Sequence, residues 1–155
     1  MLMQTNVMWP ILECQVKTRR FISLGSFFLG ASPDNIFICN CRGRICVEYN
    51  CPFNIKDMSV LEGRLKTDFL ESKEGKIRLR RRHKYCTQVI GQMASSAGEK
   101  TLFVVWTTKG EPLIELIHFD LQHWKAVLAN LVIFFNTHSE SFVRLKGSLL
   151  LPSLW

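Results

Sequence analysis

Apolar and polar positions along this chain outline sheet and helix in alternation. Residues 26–31 and 36–41 read as short strands on either side of a Ser32-Pro33-Asp34-Asn35 turn, because Pro33 presets φ and Asn35 tolerates the left-handed conformation. Residues 45–50 form the next strand, which stops at Cys51-Pro52 since proline cannot continue a sheet ladder. Asp57-Met58-Ser59 can cap a helix over 60–69, with Val60, Leu61, Leu65 and Phe69 along one side. Lys73-Glu74-Gly75-Lys76 is a turn, and beyond it Ile77 and Leu79 alternate with Arg78 and Arg80.

The second half is more regular. Val89, Met93 and Ala97 recur every four residues and predict a helix over 83–97, with Gln88 and Gln92 as a polar line beside them and Gly98 as its stop. Residues 102–107 and 113–119 are β runs joined by the turn-forming Thr108-Lys109-Gly110-Glu111-Pro112. Asp120 caps a last helix over 121–137, with Trp124, Leu128, Leu131 and Phe135 as its buried stripe. Before residue 26 there is no clean period: Trp9-Pro10 breaks any helix, and 11–21 mixes apolar residues with Lys17, Arg19 and Arg20. The division expected is a poorly readable segment 1–25, a domain over 26–140 and a tail 141–155 with apolar Leu149 to Leu151. The fold class is α/β, a mixed sheet flanked by helices.

Composition narrows this picture. At 155 residues the chain suits one domain, and with 47% hydrophobic and 21% charged residues it is globular rather than disordered. No apolar run approaches the roughly 20 residues of a spanning helix, so no membrane role is expected. Met1 to Pro10 lacks a basic region followed by an apolar one, which points to an intracellular, reduced setting despite six cysteines. The net charge of +7 suggests an anionic partner.

Candidate chemistry centres on residues 30–52. Asp34 and Glu48 stand on neighbouring strands with a Gly43-containing turn between, and two carboxylates joined by a hairpin are a minimal site for Mg²⁺ or Mn²⁺. On the residues alone, Asp34 also reads as a plain turn residue, Glu48 fits either face of its strand, and Gln88 and Gln92 fit a solvated helix face. Cys39, Cys41, Cys46 and Cys51 cluster, but not in the paired spacing of a zinc site, and buried or free thiols are expected instead. The run Arg78, Arg80, Arg81, Arg82, His83 and Lys84 reads either as an ordinary solvated loop or, with Gln92 further along, as the candidate nucleic-acid contact. It precedes a helix N-terminus, which adds backbone donors for phosphate, and nothing in it reads base edges.

Three ordered motifs resemble those of YqaJ-type viral recombinases and lambda-exonuclease-like nucleases, part of the PD-(D/E)xK superfamily. They are Gly30-Ala31-Ser32-Pro33-Asp34-Asn35, Glu48-Tyr49-Asn50-Cys51-Pro52 and Gln88-Val89-Ile90-Gly91-Gln92-Met93. The resemblance implies a restriction-endonuclease-like fold and metal-dependent removal of nucleotides from DNA ends in recombination or repair. It implies Asp34 and Glu48 as ligands of Mg²⁺ or Mn²⁺, the Tyr49 carbonyl as a third, and Gln88 as the helix partner of the site. The lysine of the family motif, which activates the attacking water, is Asn50 here. An amide has no titrating proton near neutrality, so a degenerate nuclease or a catalytically silent DNA-binding or assembly module is implied instead. Lys56 and the basic residues from Arg80 to Lys84 are candidates to replace the missing charge. The family's long helical N-terminal part has no counterpart, so the chain reads as the C-terminal portion of such a domain. Family assemblies make a homo-oligomer conceivable, although no residue pattern decides it.

Overall fold

The computed structural model describes residues 15–18, 21–23, 29–39 and 43–139. In chain order, β1 (Gln15–Thr18), β2 (Ile22–Ser23), β3 (Gly30–Ala31), β4 (Asn35–Cys39) and β5 (Gly43–Asn50) lead to a one-turn helix α1 (Val60–Gly63). Then come β6 (Leu70–Lys73), β7 (Lys76–Leu79), the long helix α2 (Lys84–Ser96), β8 (Lys100–Val105), β9 (Leu113–His118) and α3 (Leu121–Phe134). Five strands form a mixed sheet in the order β1-β4-β5-β8-β9. Only the β5–β8 pair is parallel among these neighbours, with Glu48 facing Phe103 and α2 lying in the connection. A parallel pair requires a crossover of this kind.

Period-two alternation sorts β5 into two faces. Cys46, Glu48 and Asn50 share the face with Thr101, Phe103 and Val105 of β8 and Ile117 of β9. The core lies between this face and α2, where Cys46, Phe103, Val105, Val89, Ile90, Met93 and Leu79 are essentially sealed from solvent. Val89 and Met93 point inward as their spacing predicts. The β6–β7 hairpin adds Leu70 and Leu79 to the same core, and Phe69 just before it joins them. Its turn uses Glu74 and Gly75, both at positive φ, the conformation a two-residue hairpin demands.

Several expected elements differ. The helix over 60–69 is a single α turn and a 3₁₀ turn (Arg64–Lys66), after which Thr67 becomes extended. Leu61 and Leu65 are therefore exposed, while Phe69 reaches the core from outside any helix. Gly63 explains the tight path, since a Cβ there would stand 2.7 Å from the Ile55 side chain. Ser59 does cap α1, in a reciprocal capping box with Glu62. Helix α2 ends one residue early, with Ala97 rather than Gly98 in the left-handed conformation (φ 52°). Gly98 is needed for space instead, because a Cβ would meet Ser96 Oγ at 3.1 Å and Cys46 Sγ at 3.2 Å.

Asp120 caps α3 by accepting from the His123 N–H, yet no residue of that helix is fully buried, and Leu131 and Phe134 are 37% and 59% exposed. Its expected stripe is thus only a half-buried edge. The segment before residue 26 contributes β1, which pairs with β4, and β2, which pairs with β3. The expected strand over 26–31 is described only at 29–31, and the tail 141–155 lies outside the described residues. No helix of the described residues is long and apolar enough to cross a membrane.

Candidate active site

The site is built by the β4–β5 register. Asn35 pairs with Val47, so the next position back sets Asp34 opposite Glu48, beyond the last rung of the ladder. Asp34 is held there by its side chain, whose Oδ2 accepts the Tyr49 backbone N–H at 2.9 Å. Two carboxylates from adjacent strands thereby stand at one end of the sheet, Glu48 on the face that α2 covers.

Helix α2 grips Glu48 from above. Gln88, one turn before Gln92, donates its side-chain amide to Glu48 Oε1, and Gln92 donates to Oε2 at 2.7 Å. Position i and i+4 on one helix face meet one carboxylate. Gln88 is exposed, but Gln92 is 3% exposed, and its carbonyl oxygen is buried without a partner. The two glutamines therefore converge on Glu48, Gln92 from a buried position and Gln88 from the surface.

Burial pushes the Glu48 carboxyl above its ordinary range. The negative charge of Asp34 pushes the same way, while hydrogen bonds from Gln92, the Asp34 backbone and Gln88 pull it down. A half-buried pair of like charges is the circumstance that a cation relieves. Each carboxylate oxygen keeps lone-pair capacity beyond one hydrogen bond, so the two carboxylates suit a hard divalent ion. Among the described residues no group of three or more His, Cys, Asp or Glu side chains is close enough to hold a metal, so further ligands would be backbone oxygen and water.

Asn50 lies two residues beyond Glu48 and on the same face. It lines an open cleft of about 600 Å³ together with Phe53, Asn54, Lys66, Asp68, Phe69 and Tyr85. Of the cations expected to replace the motif lysine, Lys56 places Nζ over the Phe53 ring at 4.3 Å, and Arg80 Nε donates to the Leu70 carbonyl at 3.0 Å. On the other side of the glutamines, a second cleft of about 310 Å³ is lined by Gly30, Ser32, Gln88, Gln92 and Trp124, the last expected from sequence to lie in a buried stripe.

The basic run has divided loyalties. Arg78 pairs with Glu71 and Arg81 with Glu115, at 2.7 and 2.6 Å. His83 caps α2 by accepting the Tyr85 N–H on Nδ1, and its Nε2 faces Asp68 at 3.4 Å. Arg82 and Lys84 are exposed, and they carry the positive charge of this loop outward. Of the cysteines, Cys46 is sealed against Ser96 Oγ at 3.0 Å with its thiol pushed up by burial, and Cys51 is exposed. The Cys39 side chain and Cys41 lie outside the described residues.

Sequence reasoning missed Glu115, which accepts the Leu79 N–H at 2.7 Å and clamps Arg81, and it missed Phe53, over whose ring the expected Lys56 lies. For the latter a signal exists: an aromatic directly after a strand-ending Cys-Pro, with lysine three positions on.

Two solved structures share the fold. One is an alkaline exonuclease, LHK-Exo, from Laribacter hongkongensis, at 16% identity with a TM-score of 0.58, covering 89% of this chain and 65% of that one. The other is LHK-Exo in complex with dAMP, with the same figures. The chain thus spans slightly less than two-thirds of that enzyme's length, and its sheet and helices have the restriction-endonuclease-like architecture. Among curated proteins no sequence relative is found. Residues 11–100, more than half of the chain, match the YqaJ-like viral recombinase domain, and the chain belongs to that family.

Proposed function

We propose that this chain is an exonuclease-like, DNA-processing domain of recombination or repair that takes Mg²⁺ or Mn²⁺ between Asp34 and Glu48, and whose hydrolytic step is weakened by Asn50. The observation that carries this reading is the convergence of all three motifs: Asp34 opposite Glu48, and Gln88 and Gln92 on the Glu48 carboxylate. When bound, the divalent ion lowers the pKa of its water and offsets charge on the phosphate.

The chain's own residues set what is possible around that ion. Asp34 and Glu48 would hold it, while the Tyr49 N–H fixes the Asp34 side chain and the two glutamines fix the Glu48 carboxylate. Asn50 can position a water molecule through its amide but stabilises no hydroxide. Loss of a positioned proton-transfer group costs about 10²–10⁴-fold in rate. The exposed Arg82 and Lys84 supply sequence-independent attraction to phosphates, steepening the dependence of binding on salt.

The second reading is a DNA-binding or assembly module without catalysis, and the replacement of lysine by Asn50 favours it. End-labelled duplex DNA with Mn²⁺ separates the two. Slow nucleotide release that Asp34→Ala or Glu48→Ala abolishes, and that Asn50→Lys raises by about 10²-fold or more, supports the nuclease. Salt-sensitive binding with no release, even from Asn50→Lys, supports the module.

A further inference from the structure

The cleft beyond the C-terminal end of β5 contains an arrangement that the carboxylate site does not use. Phe53 is 79% exposed, Lys56 Nζ lies 4.3 Å from its ring centroid, and Lys66 lines the same cleft as Asn50. The turn that presents Phe53 is firmly fastened. Ile55, two residues on, is 1% exposed. The Lys56 carbonyl accepts both the N–H and the hydroxyl of Thr108, at 3.0 and 2.6 Å, and Asn54 donates its side-chain amide to the Lys66 carbonyl at 2.6 Å. An exposed ring on a fixed turn loses little freedom when it is covered, which is what a recognition surface requires. One acidic residue, Asp68, lines the cleft, against Lys66 on the same lining and Lys56 over the Phe53 ring, so the nearby basic side chains outnumber it.

We infer that Phe53 is a stacking platform for a nucleobase of single-stranded DNA lying in the Asn50 cleft, with Lys56 and Lys66 facing its phosphates. This rests on the DNA-processing reading above. The chemistry is that of sequence-tolerant strand binding: every base offers a π face to an aromatic ring, and neighbouring ammonium groups follow the backbone. It also gives the cleft a direction, because a strand laid on Phe53 passes Asn50 and then reaches the paired carboxylates on the same sheet face.

The test is fluorescence anisotropy in EDTA and low salt, so that no cleavage intervenes, with a labelled oligothymidylate and an abasic strand of equal length. The full chain is expected to bind the thymidine strand roughly tenfold more tightly than the abasic one. Phe53→Ala and Phe53→Leu abolish that preference, Leu keeping bulk but offering no π face, whereas Phe53→Trp retains it. Lys56→Gln lowers the salt slope by about one while the preference persists. Equal affinity of the unaltered chain for both strands, or a preference that survives in Phe53→Leu, overturns the platform and leaves DNA binding standing. Failure to bind either strand overturns the DNA-processing reading as well.

Discussion

The Tyr49 backbone N–H points at Asp34 Oδ2 across 2.9 Å, and this bond ties the turn before β4 to the strand that carries Glu48. It sets the side chain of the first motif beside the second, and under the proposed function it would serve the site as well as the fold. The two roles separate on substitution. Asp34→Asn keeps a carbonyl acceptor for the N–H and removes the charge. Its stability should stay within about 0.5 kcal/mol of the parent chain, while Mn²⁺ binding, followed by calorimetry, weakens by about tenfold or more. Equal Mn²⁺ affinity in the two proteins would remove Asp34 from the site.

Glu48 gives the chain a pH signature. Its carboxyl is raised, first by burial and then by Asp34, so between the ordinary value near 4.5 and the raised one the folded chain binds more protons than the unfolded. The stability tied to that proton is complete below the window and is lost as pH rises through it. Thermal melts in EDTA should therefore show the parent chain losing ground to Glu48→Gln as the pH climbs from about 4.5 toward neutrality. Added Mn²⁺ should recover the parent chain and leave the variant unmoved. Parallel curves for the two proteins would show that the group titrates alike in both states.

The two glutamines on Glu48 should not be equal. Gln92 is buried at 3% exposure and Gln88 is at the surface, although each donates to one oxygen of the same carboxylate. Gln92→Ala opens a void and strips the half-buried Glu48 carboxylate of a donor, which costs about 2–3 kcal/mol in urea unfolding. Gln88→Ala exchanges its bond for water and costs less than about 1 kcal/mol. The reverse ranking would mean that Glu48 is aimed from the exposed side.

At the end of α2, Ala97 and Gly98 look interchangeable in sequence and are opposites in structure. Ala97→Gly relieves a left-handed backbone and should stabilise the chain by about 1 kcal/mol. Gly98→Ala drives a methyl toward Ser96 Oγ and Cys46 Sγ and should destabilise it by about 1–3 kcal/mol. Chemical denaturation of both variants decides the matter, and a neutral Gly98→Ala would show that the Cys46–Ser96 contact yields easily.

The same pair shows where reading the chain by pattern stops. Glycine is an ordinary helix terminator, so Gly98 was the natural stop. Its real constraint is crowding by Cys46, a residue 52 positions away that no local rule contains. Strand β5 and helix α2 were legible because their periods are carried by their own residues, Cys46, Glu48 and Asn50 in one case, Val89 and Met93 in the other. The helix over 60–69 stops after one α turn at Gly63, where Ile55, outside the window, leaves no room for a Cβ. In the basic loop, likewise, Arg81 is engaged by Glu115, a partner on β9 that no local pattern contains. The motif residues came from family likeness, and only the register and the two amide contacts bring them into one place.

Because Glu48 and Asn50 occupy alternate positions of one strand, their usefulness depends on parity. One residue gained between Cys46 and Glu48 would swing the carboxylate to the far side of the sheet, away from both glutamines. Two gained would restore its side and carry it about 7 Å along the strand. Change at this end of the strand is thereby channelled into exchange of side chains at fixed length.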